Sequence, residues 1–175
     1  MKMKKQFINK ELWLLTVGAA FQRANIYNSN IEISDSLKSA FRDELFRIIS
    51  DLVSKDYSLE ISDEKHIKNI WKISEFTASE FPDILTNGRI NFGVSQKLLN
   101  LYLKYLWCIG EVGTPPHFPV DRIIQQKLKV PQIIAWTKIE NEKPYNEIIS
   151  HARNVLQNTE YSSLAELELN LYQRN

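Results

Sequence analysis

Between Leu37 and Leu52, apolar side chains recur every three or four residues: Leu37, Phe41, Leu45, Ile48, Ile49 and Leu52. On a helix of 3.6 residues per turn these positions form one stripe, so the segment must bury a face against another element. Ser34 or Asp35 in front of it supplies an N-cap, and the helix is expected to run to about Ser54. The same pattern repeats along the chain. Glu11 to Tyr27 reads as a largely buried helix carrying Leu12, Leu14, Leu15, Val17, Ala19, Ala20 and Phe21. Ser62 caps a third helix, with Asp63 and Glu64 in the first turn, a stripe of Ile67, Ile70, Trp71, Ser74 and Ala78, and a stop at Pro82. A fourth is expected from about Ser95 to Ile109, with Gly110 where a C-cap glycine belongs. Pro119 or Asp121 opens a fifth, ending before Pro131. A sixth covers about 144–157 with Pro144 in its first turn, and Ser162 or Ser163 caps a last one from Leu164 to Tyr172. Tyr57 to Ile61 alternates only weakly, and nothing else reads as a strand. The expected fold is all-α: one domain over residues 1–175 with about seven helices.

Composition excludes several classes. One cysteine, Cys108, cannot build a disulfide framework, a four-cysteine zinc site or a cysteine-ligated iron–sulfur cluster, and it reads as a buried small hydrophobe. His66, His117 and His151 lack metal-ligand spacing, so neither a metal nor a cofactor is expected. No run approaches 18 apolar residues, and no apolar stretch of signal-peptide length follows the basic start. The expectation is a cytoplasmic monomer with no membrane contact.

The net charge of +1 conceals an uneven distribution. Residues 84–139 hold seven Lys/Arg against two Asp/Glu, whereas residues 140–175 hold three against six. A basic middle third is an electrostatic footprint for a polyanion, or simply a solvated face. The acidic last third is expected to face away from such a partner.

The chemistry concentrates between Asn91 and Gln125. Lys97 falls in the first turn of a helix, the wrong end of the dipole for a cation. Dipole and burial both favour its neutral amine, a nucleophile for carbon. Asp121 stands at or beside an N-cap, where a carboxylate stays ionised.

Gly93-Val94-Ser95-Gln96-Lys97, followed by Pro119-Val120-Asp121, resembles the signature of the helix–hairpin–helix DNA glycosylases, the superfamily of endonuclease III and the 8-oxoguanine glycosylases. In that family a glycine hairpin precedes a helix that bears the catalytic lysine, and a Val-Asp dipeptide follows a loop. The second hairpin glycine is Ser95 here, and the Lys97-to-Asp121 interval is longer than in the better-known members. The resemblance implies a hairpin element over about 84–110 and an active-site loop over about 111–121. It implies Lys97 as nucleophile and Asp121 as the carboxylate that stabilises positive charge on the sugar. Asn91, Gly93, Val94, Ser95 and Gln96 would grip DNA, double-stranded by expectation, with Arg89, Lys104, Arg122 and Lys127 on phosphates. Gln22, with Arg23 and Asn25 at the end of the first helix, would fill the gap left by an extruded base. His117 and Phe118 would touch that base.

Plainer roles compete at each position. Lys97 also reads as a solvated lysine, Asp121 as a cap alone, and His117 as a loop histidine with a structural hydrogen bond. Tyr102, Tyr105 and Trp107 read as core. As a whole the chain also fits a non-catalytic helical module that binds nucleic acid or protein.

Overall fold

A computed structural model describes residues 2–172. Among these residues the fold is all-α, with seven helices and no strand. They are α1 (Lys2–Phe21), α2 (Asp35–Asp56), α3 (Asp63–Glu80), α4 (Phe92–Cys108), α5 (Arg122–Lys127), α6 (Glu142–Leu156) and α7 (Leu164–Leu171). Three single-turn 3₁₀ segments, Pro82–Ile84, Thr86–Gly88 and Trp136–Lys138, lie in the connections.

Local chemistry sets the boundaries. Ser34, Ser62, Asn91, Asp121, Asn141 and Ser163 each cap a helix by accepting a backbone N–H of the first turn. Four of these caps were expected. Asn91 was not, and it moves the start of α4 from Ser95 to Phe92. Asn141 likewise starts α6 at Glu142. Gly110 adopts φ +75 directly after α4, the left-handed conformation that glycine supplies without strain.

Helix α4 is the centre of the molecule. Every residue from Phe92 to Lys104 is buried, and α1 and α3 pack along its length. Around it lie Phe41, Leu45 and Ile49 of α2, Ile70 and Ile73 of α3, and Tyr145, Ile148 and Ala152 of α6. Each large apolar side chain so buried contributes roughly 1.5–3 kcal/mol relative to exposure.

Four expectations need correction. Helix α1 begins at Lys2 rather than Glu11 and ends at Phe21 rather than Tyr27, because Arg23 and Asn25 turn left-handed at φ 65 and 45. Nor is α1 largely buried: Trp13, Thr16, Val17 and Ala20 face the core, whereas Met3, Phe7, Leu14 and Leu15 are exposed. In α3 the buried side is His66, Asn69, Ile70, Ile73, Ser74 and Thr77, with Ile67, Trp71 and Ala78 only half-buried. Buried partners for His66 and Asn69 outweigh the apolar pattern there. Cys108 is exposed, at the last turn of α4.

Candidate active site

Lys97 and Asp121 come together. The Lys97 ammonium lies 3.9 Å from the Asp121 carboxylate. Its side chain is 9 % exposed and that of Asp121 28 %, so the lysine is the more deeply buried partner. Trp136 covers the amine, with Nζ 3.7 Å from the ring centroid. Burial pushes the Lys97 amine below the ordinary lysine range; Asp121 acts the other way, and Arg23 adds to the lowering. The carboxylate and the indole face both favour the ammonium, but burial outweighs them, so the amine holds its proton less firmly than a surface lysine, which is what a nucleophilic amine needs.

Two buried glutamines tie the surrounding segments together. Gln96, the residue before Lys97, donates to the Val120 carbonyl at 2.9 Å and accepts the Val120 N–H at 3.1 Å. Gln125 donates to the carbonyls of Asp121 and Ile134 at 3.0 and 2.7 Å and accepts the Ile134 N–H at 2.9 Å. Asp121 itself accepts the Ile124 N–H and so caps α5.

Behind Gln96 runs a hydrogen-bonded chain through the core. Asn100 donates to Gln96 Oε1 and to the Tyr145 hydroxyl, and accepts from His66 Nε2. That fixes the tautomer of His66, whose Nδ1 must take the Tyr57 hydroxyl proton. The Tyr145 hydroxyl donates in turn to His117 Nδ1, and His117 Nε2–H donates to Asp63. Arg153 holds the same carboxylate. Burial pushes both histidines below their ordinary range, and the hydrogen bond from His117 holds Asp63 well below the usual carboxylate range.

No family model matches this chain, and neither curated proteins nor solved structures yield a match.

The other expected site residues divide. Arg89 and Arg122 are exposed, Arg122 beside Asp121 and Arg89 over the Trp71 ring. Lys127 is half-buried. Gln22 is exposed in the turn after α1, next to Arg23. The expected amide cradle is corrected. Gly93 N–H donates to the Ile139 carbonyl, Val94 N–H to the Asn91 side chain and Ser95 N–H to the Asn91 carbonyl. Asn91 spends its own amide on Thr137 and Glu140. These groups serve the fold, not a phosphate. The glycine at 93 has a packing reason: a Cβ there would stand 1.7 Å from the Trp136 carbonyl oxygen. Lys104 is buried, paired with Glu168 at 2.8 Å and lying over the Tyr172 ring, so it is not a phosphate contact. His117 and Phe118 are buried, and neither faces solvent as a base contact would. Helix α7 packs on α5, and Glu140 reaches Asn91.

Sequence reasoning missed Trp136, Gln125, Asn100 and Tyr145. One signal pointed to Asn100. Gln96, Asn100 and Lys104 recur every four residues on an otherwise apolar helix, and polar groups on a helix buried all round must be paired.

Proposed function

We propose that this chain is a DNA N-glycosylase with AP-lyase activity, acting through Lys97 and Asp121. The observation that carries the reading is the desolvated amine beside a fixed carboxylate, 3.9 Å apart and covered by Trp136. The neutral Lys97 amine would attack C1′ of the sugar as the glycosidic C–N bond breaks. The departing base leaves with the bonding pair and is protonated, and the attached amine sheds a proton; the C1′–O4′ bond then breaks, O4′ taking up a proton to become a hydroxyl, as the nitrogen lone pair closes the ring-opened Schiff base. Asp121 would stabilise the positive charge that develops on the sugar. Loss of the C2′ proton then expels the 3′ phosphate and cleaves the strand.

Phosphate recognition falls to side chains rather than to backbone amides. Arg23, Arg89, Arg122, Lys129 and Lys138 are exposed. Arg23 and Arg122 adjoin the Lys97–Asp121 pair, and Lys138 closes the 3₁₀ turn that begins at Trp136.

Borohydride trapping tests the reading. Purified protein meets duplexes carrying an abasic site or one of a panel of oxidised bases, and a covalent adduct is expected that Lys97→Ala abolishes. Absence of an adduct on every duplex excludes the Schiff-base mechanism. A titration of duplex affinity against salt then separates a base-excising or binding protein, with a steep negative slope, from a module that does not bind DNA.

A further inference from the structure

We propose that Gln96 and Gln125 are the positioning residues of the Lys97–Asp121 pair: two buried amide side chains that fix the distance between the amine, the carboxylate and the indole that covers them. The inference rests on the reading of that pair as the reacting groups, but its geometry stands apart from any reaction.

The pair is built from three segments that share no regular secondary structure with one another. Lys97 comes from α4, Asp121 from the end of the irregular connection between α4 and α5, and Trp136 from a 3₁₀ turn. A strand in such a place would be held by a ladder. Here the backbone of Val120, Asp121 and Ile134 is held by side chains. Gln96 offers its amide to Val120 as a peptide would, donating to the carbonyl and accepting the N–H of the same residue. Gln125 does the same for Ile134 and adds a bond to the Asp121 carbonyl. Both side chains are fully buried, and both their polar atoms are satisfied, so neither can rotate without orphaning several groups. Gln96 is adjacent in sequence to Lys97, and Val120 to Asp121. A movement at either bond therefore reaches the reacting atoms directly.

Gln125 completes the arrangement from the other side. It is one turn into the helix that Asp121 caps, and its second partner, Ile134, lies two residues before Trp136. One glutamine sets amine against carboxylate, and the other sets carboxylate against indole. The charged groups acting on Lys97 are Asp121 and Arg23, and neither is replaced when a glutamine is changed.

The test uses the full chain with ¹³Cε-labelled lysine and follows the Lys97 titration by NMR in wild type, Gln96→Met and Gln125→Met. Methionine keeps length and apolar volume and removes the amide. Gln96→Met is expected to release Asp121, and the Lys97 amine then loses its anionic neighbour and titrates at lower pH. Gln125→Met is expected to change the ring-current shift that Trp136 imposes on Lys97 Cε. Asn69→Ala, which removes a buried amide bonded to Tyr57 and Asp56 in the same core, is the control and is expected to lower Tm while leaving Lys97 unmoved. Superimposable Lys97 curves in wild type and Gln96→Met, or an equal movement in the control, overturn the proposal.

Should the variants fail to fold, hydrogen exchange in the wild type decides. The Val120 and Ile134 amides are expected to exchange as slowly as those of α4, and exchange at loop rates overturns the proposal. Adduct formation on the abasic duplex is expected to slow by about a hundredfold in Gln96→Met. A wild type that forms no adduct while its glutamine variants still move Lys97 would retire the glycosylase reading and leave the positioning role intact. Wild-type trapping with unmoved variants would do the reverse.

Discussion

Gly93 and Lys104 show how a side chain's surroundings, not its type, decide its use. At Gly93 the backbone of α4 approaches the Trp136 carbonyl so closely that a methyl group has no room. Gly93→Ala is therefore expected to cost about 3 kcal/mol, the upper end for overpacking, in urea denaturation. Lys104 and Glu168 form a buried pair, and burial pushes the glutamate up from its usual range while the lysine draws it back. Lys104→Met strands a carboxylate, at a cost of about 3–5 kcal/mol, whereas Lys104→Met with Glu168→Leu is expected to recover most of the loss. Measured ΔG values for the two variants check this. At this scale the sequence was legible in part. Asp121 was readable as a cap, whereas the first-turn placement that singled out Lys97 does not hold: α4 begins at Phe92, Lys97 lies in its second turn, and burial rather than the helix dipole sets its surroundings. The partner of Gln96 was not readable, since the four-residue recurrence with Asn100 and Lys104 says that the amide must be paired but not that it meets a backbone carbonyl 24 residues away.

At the scale of the element, α1 carries two faces of different kinds. Trp13 is 4 % exposed and packs on Phe46 and Tyr102, whereas Phe7 is 63 % exposed. Trp13→Ala is expected to destabilise by about 3–5 kcal/mol, and Phe7→Ser by less than about 0.5 kcal/mol. Thermal unfolding of the two variants separates these cases by many degrees. The helices with clean caps and stripes were legible to within a residue or two: α2, α3 and α7 begin where serine stands before an acidic or apolar first turn. The three 3₁₀ turns were not, because a single turn is too short for periodicity to register. The buried side of α3 was misread for a related reason. Periodicity counts apolar letters, and His66, Asn69 and Thr77 enter the core through hydrogen bonds instead.

For the whole molecule, the buried histidines make stability depend on pH. His66 and His117 are held neutral, each with a folded-state pKa below its unfolded value. The unfolded chain then binds protons that the folded chain refuses as pH falls below about 6.5, so acid favours unfolding. Each histidine is expected to remove about 1.4 kcal/mol per pH unit below that point until its folded pKa is reached. Asp63 opposes no part of this fall near neutrality, since its depressed pKa keeps it ionised far below the usual range. Chemical denaturation at pH 7, 6 and 5 checks the slope, and a flat profile sinks the assignment of neutral histidines. The all-α class was legible from seven capped stripes and few glycines. The central place of α4 was legible only in hindsight, from a helix whose apolar residues leave no solvent face.

The exposed thiol of Cys108 has a practical meaning. It sits eleven residues beyond Lys97 on the same helix, roughly 16 Å along the axis, and it is the chain's single cysteine. A fluorophore attached there would ride on the rigid rod that carries the amine, at a known height above it. Energy transfer to a dye on an oligonucleotide would then serve as a ruler, locating a bound duplex without altering a single residue of the site.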